Sequence, residues 1–314
     1  MKSLVRKYIS VLVCYFLFTP LVYAAGTTGA NFLTLGGGAR VEAMGGTGTA
    51  LAIGVDAAYW NAASLGRSTT SQLSFSHAAW FADINYEHLG YVQPLGKGMS
   101  VALSSLILYT SGIARTFEDP YGIYKETDGS FSYHAMALCG SIGKHAGKGL
   151  YVGGSAKFIY ENNAEETSAG AAFDLGTLYV SPDAGWSAGI AARNLGPNLK
   201  LGETAEPLPL QLALGCAAAL LDSSFVASAG ATFSKGAGAR FALGVERGFG
   251  GVLFLRGGFT TSTEKTANRG FAAGAGISIR GFSIDYSATD LQELGLVHRF
   301  TVGTSSLGLD SKMR

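Results

Sequence analysis

Apolar and polar residues alternate along most of this chain, in short segments between about residue 70 and residue 303. In the segment 282–290, for example, Phe282, Ile284 and Tyr286 alternate with serine and aspartate. A period of two places successive side chains on opposite faces of a β-strand. The pattern therefore predicts an all-β protein whose sheet has one apolar and one polar face.

These segments predict fourteen strands, many of about 9–11 residues, the length of a tilted strand that crosses a membrane. The predicted strands are 72–80, 87–94, 100–110, 130–141, 150–161, 168–180, 186–194, 209–219, 225–234, 240–247, 252–260, 270–279, 282–290 and 297–303. Even numbers of antiparallel strands are typical of bacterial outer-membrane barrels. We therefore predict an antiparallel transmembrane β-barrel over residues 69–303, followed by a polar tail, 304–314.

The connections between the predicted strands differ in length. Turns such as 96–98 and 235–238 are tight and rich in glycine, whereas 110–129 and 195–208 are longer and polar. Outer-membrane barrels carry short turns on the periplasmic rim and longer loops on the outer rim. This arrangement predicts that residues 110–129 face the outside of the cell. The strand at 100–110 is apolar on both faces, which predicts contact with a plug or an apolar pocket.

The N-terminal residues 1–24 have the features of a secretory signal peptide. Basic residues precede an apolar run from Ile9 to Leu21, and Ala24 supplies a small residue at the expected cleavage point. The run is short for a membrane span, so a retained anchor helix is the less favoured alternative. Cleavage leaves 314 − 24 = 290 residues. We expect the mature protein in the outer membrane of a Gram-negative-type bacterium.

Residues 25–68, called the plug below, fit neither the signal peptide nor the strand pattern. Closely spaced glycines disfavour a long helix, and the segment ends in an aromatic cluster, which predicts a compact element inside the barrel. The residues expected to seat it are Arg40, Met44, Gly45, Gly46, Asp56, Trp60 and Asn61. Arg40 is expected to pair with an acid of the lumen, with Asp174, Glu246 and Asp285 as alternatives.

Composition supports a membrane barrel. The chain has 45 glycines and 14% charged residues, against about 7% glycine and roughly 25% charged residues in soluble domains. An apolar secreted chain without a second apolar stretch of helix length indicates a barrel in contact with membrane lipid. The net charge of +1 gives no indication of a nucleic-acid partner. Cys139 and Cys216 lie on distant predicted strands and are expected to be free thiols.

The phase of the alternation places charges of both signs on the inner face. These charges are Lys157, Asp174, Arg193, Glu246, Arg256 and Asp285. Neighbouring strands would pair Lys157 with Asp174, Asp174 with Arg193, and Glu246 with Arg256. The charges could line a polar path for a solute, or they could form ion pairs that brace the wall and the plug. The second interpretation is favoured because a buried charge is costly unless it is paired.

Several motifs, taken in order, resemble the PorV/PorQ-like family of outer-membrane proteins, within the broader FadL-like barrel class. The N-terminal motif comprises Gly38-Ala39-Arg40, Met44-Gly45-Gly46 and Ala57-Ala58-Tyr59-Trp60-Asn61. Further matches are the motifs at 173–176, 194–197, 208–210, 243–246, 255–258, 284–286 and 298–300.

The chain departs from this family at two points. It has Asn61-Ala62-Ala63 where the family usually has Asn-Pro-Ala, so the fixed φ angle that would kink the plug is missing. Only Asp56 remains of an acidic pair that the family often carries before the motif.

The resemblance implies a fourteen-stranded barrel with its N-terminal segment folded inside as a hatch. In FadL-like relatives such hatches gate the passage of hydrophobic small molecules, which is the function we expect first. In PorV-like relatives the barrel serves type IX protein secretion and binds exported proteins, which is the alternative. A purely structural barrel is a third possibility.

Chemical motifs give no support to an enzyme. The five histidines lack metal-binding spacings, and the glycines and lysines at 143–149 do not have the spacing of a phosphate-binding loop. No cofactor and no metal are expected. A hydrolase assembled across strands around His134 and His298 is the least favoured alternative.

Overall fold

The computed structural model describes residues 28–118, 120–163, 166–220, 224–263 and 270–304. The expected signal peptide and the tail beyond residue 304 lie outside these residues. Fourteen antiparallel strands form a closed barrel, which confirms the predicted fold class and strand number. Among the described residues, no helix is long and apolar enough to cross a membrane.

The described residues contain sixteen strands in chain order, and all except β8 and β9 belong to the barrel. Their bounds are β1 Gln72–Ala79, β2 Asn85–Gly96, β3 Met99–Glu118, β4 Tyr124–Gly147, β5 Leu150–Asn162, β6 Thr167–Val180, β7 Trp186–Leu195, β8 Leu199–Leu201, β9 Thr204–Glu206, β10 Gln211–Leu220, β11 Phe225–Ser234, β12 Gly238–Phe249, β13 Leu253–Ser262, β14 Phe271–Ile279, β15 Phe282–Asp290 and β16 Leu296–Thr304. The barrel closes by pairing β1 with β16.

One expectation about the loops is wrong, and one element was not predicted. The segment 110–129 is not a loop, because β3 and β4 continue through most of it as a paired ribbon. Antiparallel strands can extend beyond the wall because each supplies the other's backbone hydrogen bonds, so the polarity of the segment does not end them. The connection after β7 contains a two-stranded hairpin, β8–β9, that the alternation pattern did not predict.

The two rims of the barrel differ in their connections. The short-turn rim carries the connections after β2, β4, β6, β10, β12 and β14, each of two to five residues. The opposite rim, called the long-loop rim, carries the ribbon β3–β4 and the β8–β9 hairpin. The tight turn at 235–237 also lies on the long-loop rim, so the predicted separation of short and long connections holds only in part.

Burial alternates along the barrel strands as the sequence predicts. On β5, Phe158 is exposed on the outer face while its neighbours Lys157 and Ile159 are buried inside. Aromatic side chains gather near both rims of the outer face. Tyr179 contacts Trp186 near the short-turn rim, with ring centroids 5.2 Å apart, and Phe259 contacts Phe271 near the long-loop rim at 5.0 Å.

Candidate functional site: the plug and its seat

The plug fills the lumen as a series of short turns. It contains 3₁₀ helices at Asn31–Thr34 and Ala62–Arg67, and three α-helices, α1 Ala39–Ala43, α2 Gly48–Leu51 and α3 Val55–Trp60. The expectation that glycines prevent a long helix is consistent with this arrangement, since no helix of the plug exceeds six residues. Gly45 and Gly46, with φ of 74° and 79°, end α1 in a conformation that L-residues rarely adopt.

The first part of the plug packs under the long-loop rim. Gly29 donates its N–H to Pro207 next to the β8–β9 hairpin, and Phe32 and Leu33 are buried in the largest apolar cluster. Leu106 and Leu108 of β3 belong to the same cluster. The inner face of the doubly apolar strand therefore contacts the plug, as one of the two expectations had it.

A belt of inward-facing glycines lets the plug backbone lie directly on the wall. At each of these positions a Cβ would meet plug atoms at close range: Gly90, Gly143, Gly153, Gly176, Gly189, Gly215, Gly244, Gly258 and Gly274. A Cβ on Gly258, for example, would overlap the backbone nitrogen of Gly45. These glycines, on nine strands, give a structural reason for the unusual glycine content of the chain.

Wall hydroxyls bind the plug backbone between these glycines. Thr260 donates to the carbonyl of Gly45 at 2.8 Å, and Ser187 donates to that of Ala50 at 3.0 Å. Thr301 accepts a hydrogen bond from the N–H of Ala39 at 2.8 Å. The hydroxyls of Thr47 and Ser228 lie 2.7 Å apart. The plug is thus held mainly through its own backbone and through small polar groups of the wall.

The strongest charged contact of the plug is made by Arg40. Its Nε and Nη2 donate to the two carboxylate oxygens of Glu246, at 2.8 and 2.9 Å. Glu246 also accepts from Nε of Arg256 at 2.6 Å, and Nη1 of Arg256 donates to Asp285 at 2.6 Å. Two of the three acids considered for Arg40 therefore belong to one network, and Glu246 is the direct partner. Burial alone would lower the pKa of Arg40, but the Glu246 carboxylate raises it overall.

Asp56 of α3 lies close to this network without a hydrogen bond of its own among the described residues. Its carboxylate packs against Gly38 at the start of α1. Burial, followed by repulsion from Asp285, raises the pKa of Asp56 from 3.8 to about 7, although Arg40 and Arg299 oppose this shift. Near neutral pH the charge of this group therefore depends on small changes in pH.

A second polar cluster lies within the wall at β5–β7. Asp174 of β6 faces two residues of β7, Arg193 and Asn194, so that β7 contains a bulge. The carboxylate of Asp174 accepts the N–H of Asn194 at 2.8 Å and lies 2.7 Å from Nζ of Lys157. Lys157 also donates to the side-chain oxygen of Asn194 at 2.7 Å.

Arg193 does not form the expected pair with Asp174. The bulge turns its guanidinium towards the plug, where Cζ lies 5.4 Å from the ring centroid of Tyr59 and 5.2 Å from that of Trp60. Its Nε and Nη1 have no hydrogen-bond partner among the described residues. The other expected pairs, Lys157 with Asp174 and Glu246 with Arg256, are present.

The aromatic end of the plug forms a hydrogen-bonded corner. Trp60 donates its Nε1–H to the carbonyl of Gly37 at 2.8 Å. Asn61 donates to the carbonyls of Thr49 and Thr177, at 2.8 and 3.0 Å, and accepts the N–H of Ala63. Asn61 is extended, with φ of −164°, between α3 and the following 3₁₀ helix. The chain therefore changes direction here without a proline.

The structure does not assemble the groups considered for hydrolysis. His134 and His298 are both exposed on the outer face of the barrel, where His298 contacts the hydroxyl of Tyr286 at 2.8 Å. Cys139 is buried and Cys216 is exposed, and both are free thiols. Within the described ranges, no group of three or more His, Cys, Asp or Glu side chains is positioned to hold a metal ion.

The described part of the plug fills the lumen. A small pocket remains between the plug and the wall near the long-loop rim, and its volume of about 10 Å³ is room for roughly one water molecule. Passage of any larger molecule through the lumen therefore requires the plug to move.

The sequence analysis missed the glycine belt and the hydroxyls that bind the plug. The belt could have been predicted from the alternation. Gly153 is an even number of residues from Lys157, and Gly244 and Gly258 are two residues from Glu246 and Arg256, respectively, so these glycines face inward with the charges. Arg299, which donates to the carbonyl of Leu35 at 3.1 Å, was also missed.

No protein-family model matches this chain, and no curated protein matches it by sequence. Solved structures do match. The Ralstonia pickettii toluene transporter TbuX is 16% identical, with a TM-score of 0.65 over 86% of this chain and 98% of that one. The CymD monoaromatic hydrocarbon channel is 13% identical, with a TM-score of 0.64 over 86% and 98%. A Pseudomonas aeruginosa FadL homologue is 12% identical, with a TM-score of 0.56 over 90% and 99%. At these identities the matches show a common FadL-like fold, and they do not single out the PorV/PorQ family.

Proposed function

We propose that this chain is a non-enzymatic outer-membrane barrel for the passage of hydrophobic small molecules, with the plug as its gate. The observation that carries this proposal is the plug, which fills the lumen of a closed barrel and touches the wall largely backbone to backbone. The fold shared with channels described as carrying toluene and monoaromatic hydrocarbons supports the same substrate class.

The plug contacts are of the kind that a gate needs. At the glycine belt the wall offers no side chains that interlock with the plug. Directional contacts are concentrated at the seat, above all in the bidentate pair of Arg40 with Glu246. We propose that Arg40, Met44, Gly45, Gly46, Asp56, Trp60 and Asn61 fix the closed position.

An outer-membrane location follows from the same proposal. The outer face of the barrel is apolar, with aromatic contacts near both rims, as expected for strands in contact with lipid. The long-loop rim would then face the outside of the cell, and the chain would pass from the plug into β1 at the periplasmic rim.

An accessory role in protein export is the second candidate, and the ribbon β3–β4 favours it. Near the tip of the ribbon, Tyr121 is 87% exposed and Ile123 is 58% exposed. Such a projecting apolar tip suits contact with another protein. Such a barrel would not need the lumen to open to small molecules.

Uptake by purified protein in lipid vesicles distinguishes the two. Because small apolar molecules also cross lipid unaided, the readout is the oxidation of toluene by a dioxygenase enclosed in vesicles coated with lipopolysaccharide. We expect faster oxidation with the barrel than with vesicles that lack it, and no entry of glucose. Equal toluene rates with and without the barrel would reject the passage function, and co-purification of an exported protein would then support the second candidate.

A further inference from the structure

The small pocket near the long-loop rim combines apolar walls with buried polar atoms. It lies between the end of α1, the end of β1 and the connection from β15 to β16. Its lining residues are Glu42, Trp80, Thr289, Leu291, Val297 and Arg299. Leu291 and Val297 provide aliphatic surface and Trp80 an aromatic ring. The position, beside the plug and under the rim, is where a molecule from outside would first meet the closed gate.

Arg299 supplies one unused donor to this pocket. Its side chain is buried, with only 2% of the residue surface exposed, and its guanidinium lies over the ring of Tyr86 at 5.3 Å. Nη1 and Nη2 donate to the plug carbonyls of Gly36 and Leu35, at 3.4 and 3.1 Å. Nε has no hydrogen-bond partner among the described residues. A buried donor of this kind is costly unless something accepts its hydrogen bond.

Trp80 supplies a second donor. Its indole Nε1 is buried and likewise has no hydrogen-bond partner in the described part of the chain. Two N–H groups without acceptors therefore belong to residues that line one pocket, whose volume of about 10 Å³ holds a single oxygen-sized group.

The charges in the lining favour a neutral group. The lining carries one carboxylate, Glu42, and one guanidinium, Arg299, so an ion of either sign would be attracted by one of them and repelled by the other. A hydroxyl avoids this repulsion, because its oxygen accepts from an N–H while its own proton remains available to the carboxylate or to Thr289.

We propose that this pocket binds the hydroxyl group of a small apolar molecule, a phenol or a simple alcohol, as it reaches the closed plug. The proposal rests on the proposed function for its role in passage, since it names the preferred substrates of that gate. Binding itself can be tested without any transport.

The test compares two ligands of nearly equal shape, 4-methylphenol and 1,4-dimethylbenzene, on the full-length mature protein in detergent. The chain has three tryptophans, so labelling with 5-fluorotryptophan gives one ¹⁹F signal each for Trp60, Trp80 and Trp186. We expect a saturable shift at Trp80, with about fivefold higher affinity for 4-methylphenol, the effect of one hydrogen bond. Trp186 on the outer surface reports any unspecific partition into the detergent.

Two variants complete the test, with affinities measured by equilibrium dialysis. Trp80→Phe keeps an aromatic wall but removes the indole N–H, so it should reduce the preference for 4-methylphenol. Trp186→Phe is the matched control and should leave the preference unchanged. Equal affinities for the two ligands in the wild type, as for a pocket that holds only a water molecule, would overturn the proposal. So would a preference that Trp80→Phe leaves intact.

Uptake measurements separate this proposal from the function on which it rests. Toluene uptake without any hydroxyl preference in binding contradicts the pocket proposal and leaves passage standing. A hydroxyl preference in binding, lost in Trp80→Phe but without uptake of either ligand, contradicts passage and supports the pocket.

Discussion

The plug meets the barrel differently in two sectors of the wall. Against β12–β15, Arg40 enters a network in which Glu246 serves two arginines and Arg256 reaches Asp285. Against β5–β7, Lys157 and Asp174 pair within the wall itself. Arg193 turns to the plug over aromatic rings, and Glu161 accepts a backbone hydrogen bond from Ala30 of the plug.

This difference suggests that one sector of the wall anchors the plug and that the other determines the shape of the wall around it. Bidentate charged hydrogen bonds have fixed geometry and are lost abruptly when the partners move apart. A guanidinium over a ring tolerates sliding, and its contribution is small, about 0.5–2 kcal/mol. We therefore expect the β12–β15 sector to hold the plug in its closed position, while the bulge in the β5–β7 sector shapes the wall around the aromatic end of the plug.

Removal of the Glu246 carboxylate, which Arg40 and Arg256 share, should destabilise the plug more than any other change considered. Glu246→Gln leaves the guanidiniums of Arg40 and Arg256 without their common counter-charge, which costs roughly 3–5 kcal/mol in a buried network. Amide hydrogen exchange of residues 39–46 should then become faster by more than a hundredfold. Glu293→Gln, in the exposed 3₁₀ helix Gln292–Leu294 between β15 and β16, is the control and should exchange as the wild type does.

A methyl group added to the glycine belt should have the next largest effect. Gly258→Ala places a Cβ against the plug backbone at Gly45, an overlap that costs about 1–3 kcal/mol. Gly257→Ala is the matched control, because its Cβ would face outward with Val245 as its nearest neighbour at 3.8 Å. Hydrogen exchange of residues 43–47 should rise only in Gly258→Ala, and equal exchange in both variants would contradict backbone contact at the belt.

The stability of the plug should also depend on pH through Asp56, by a smaller amount than in the two preceding predictions. Its folded-state pKa of about 7 lies above the ordinary 3.8, so the folded protein holds the proton more tightly. The stability from this group is complete below pH 3.8 and declines as the pH rises through about 7. Asp56→Asn should remove this decline and should stabilise the plug at pH 8 by about 1–2 kcal/mol, after allowance for solvent.

The control for this titration is Asp83→Asn, at an exposed loop position, which should leave the pH profile unchanged. Plug stability at pH 4 and pH 8 can be compared by the same exchange measurement. His88 and Glu246 also contribute to the pH dependence of stability in this range, so only the difference between variant and wild type reports on Asp56. A stabilisation by Asp56→Asn that is no larger at pH 8 than at pH 4 would contradict the sign of this prediction.

Replacement of Arg193 should have the smallest effect. Arg193→Met keeps the aliphatic stem against Tyr59 and Trp60 but removes the guanidinium. The lost ring contact is offset by the removal of two buried nitrogens without partners, so plug stability should change by less than about 1 kcal/mol. A loss as large as that in Glu246→Gln would show that both sectors anchor the plug.

The alternation of apolar and polar residues predicts the barrel strands well where the two faces of a strand differ in polarity. Strands β11 and β15 have the bounds predicted for them, because apolar and polar residues alternate to the ends of both. The pattern fails for the ribbon β3–β4, where pairing continues beyond the wall. The β-bulge at Asp174 shifts the register by one residue, and simple alternation could not predict that Arg193 turns away from it.

The site was predicted less completely than the fold. That Arg40 pairs with an acid of the lumen follows from charge and phase, since each buried charge needs a counter-charge. The choice of Glu246 among the three candidate acids did not follow from the sequence. The hydroxyls of Thr260 and Thr301 bind plug carbonyls and amides far away in sequence. Such contacts depend on the exact depth of the plug in the lumen, and the local sequence does not encode that depth.

Locking the plug tests the central claim, that the plug must move for apolar molecules to pass, most directly. The hydroxyls of Thr47 in the plug and Ser228 in the wall are 2.7 Å apart, so Thr47→Cys with Ser228→Cys can form a disulfide, with Cys139 and Cys216 replaced by alanine. The account predicts that the oxidised barrel loses toluene uptake and that reduction restores it, while each single cysteine variant transports in both states. Equal uptake by the oxidised and the reduced double variant, with the disulfide verified by mass spectrometry, would contradict the account.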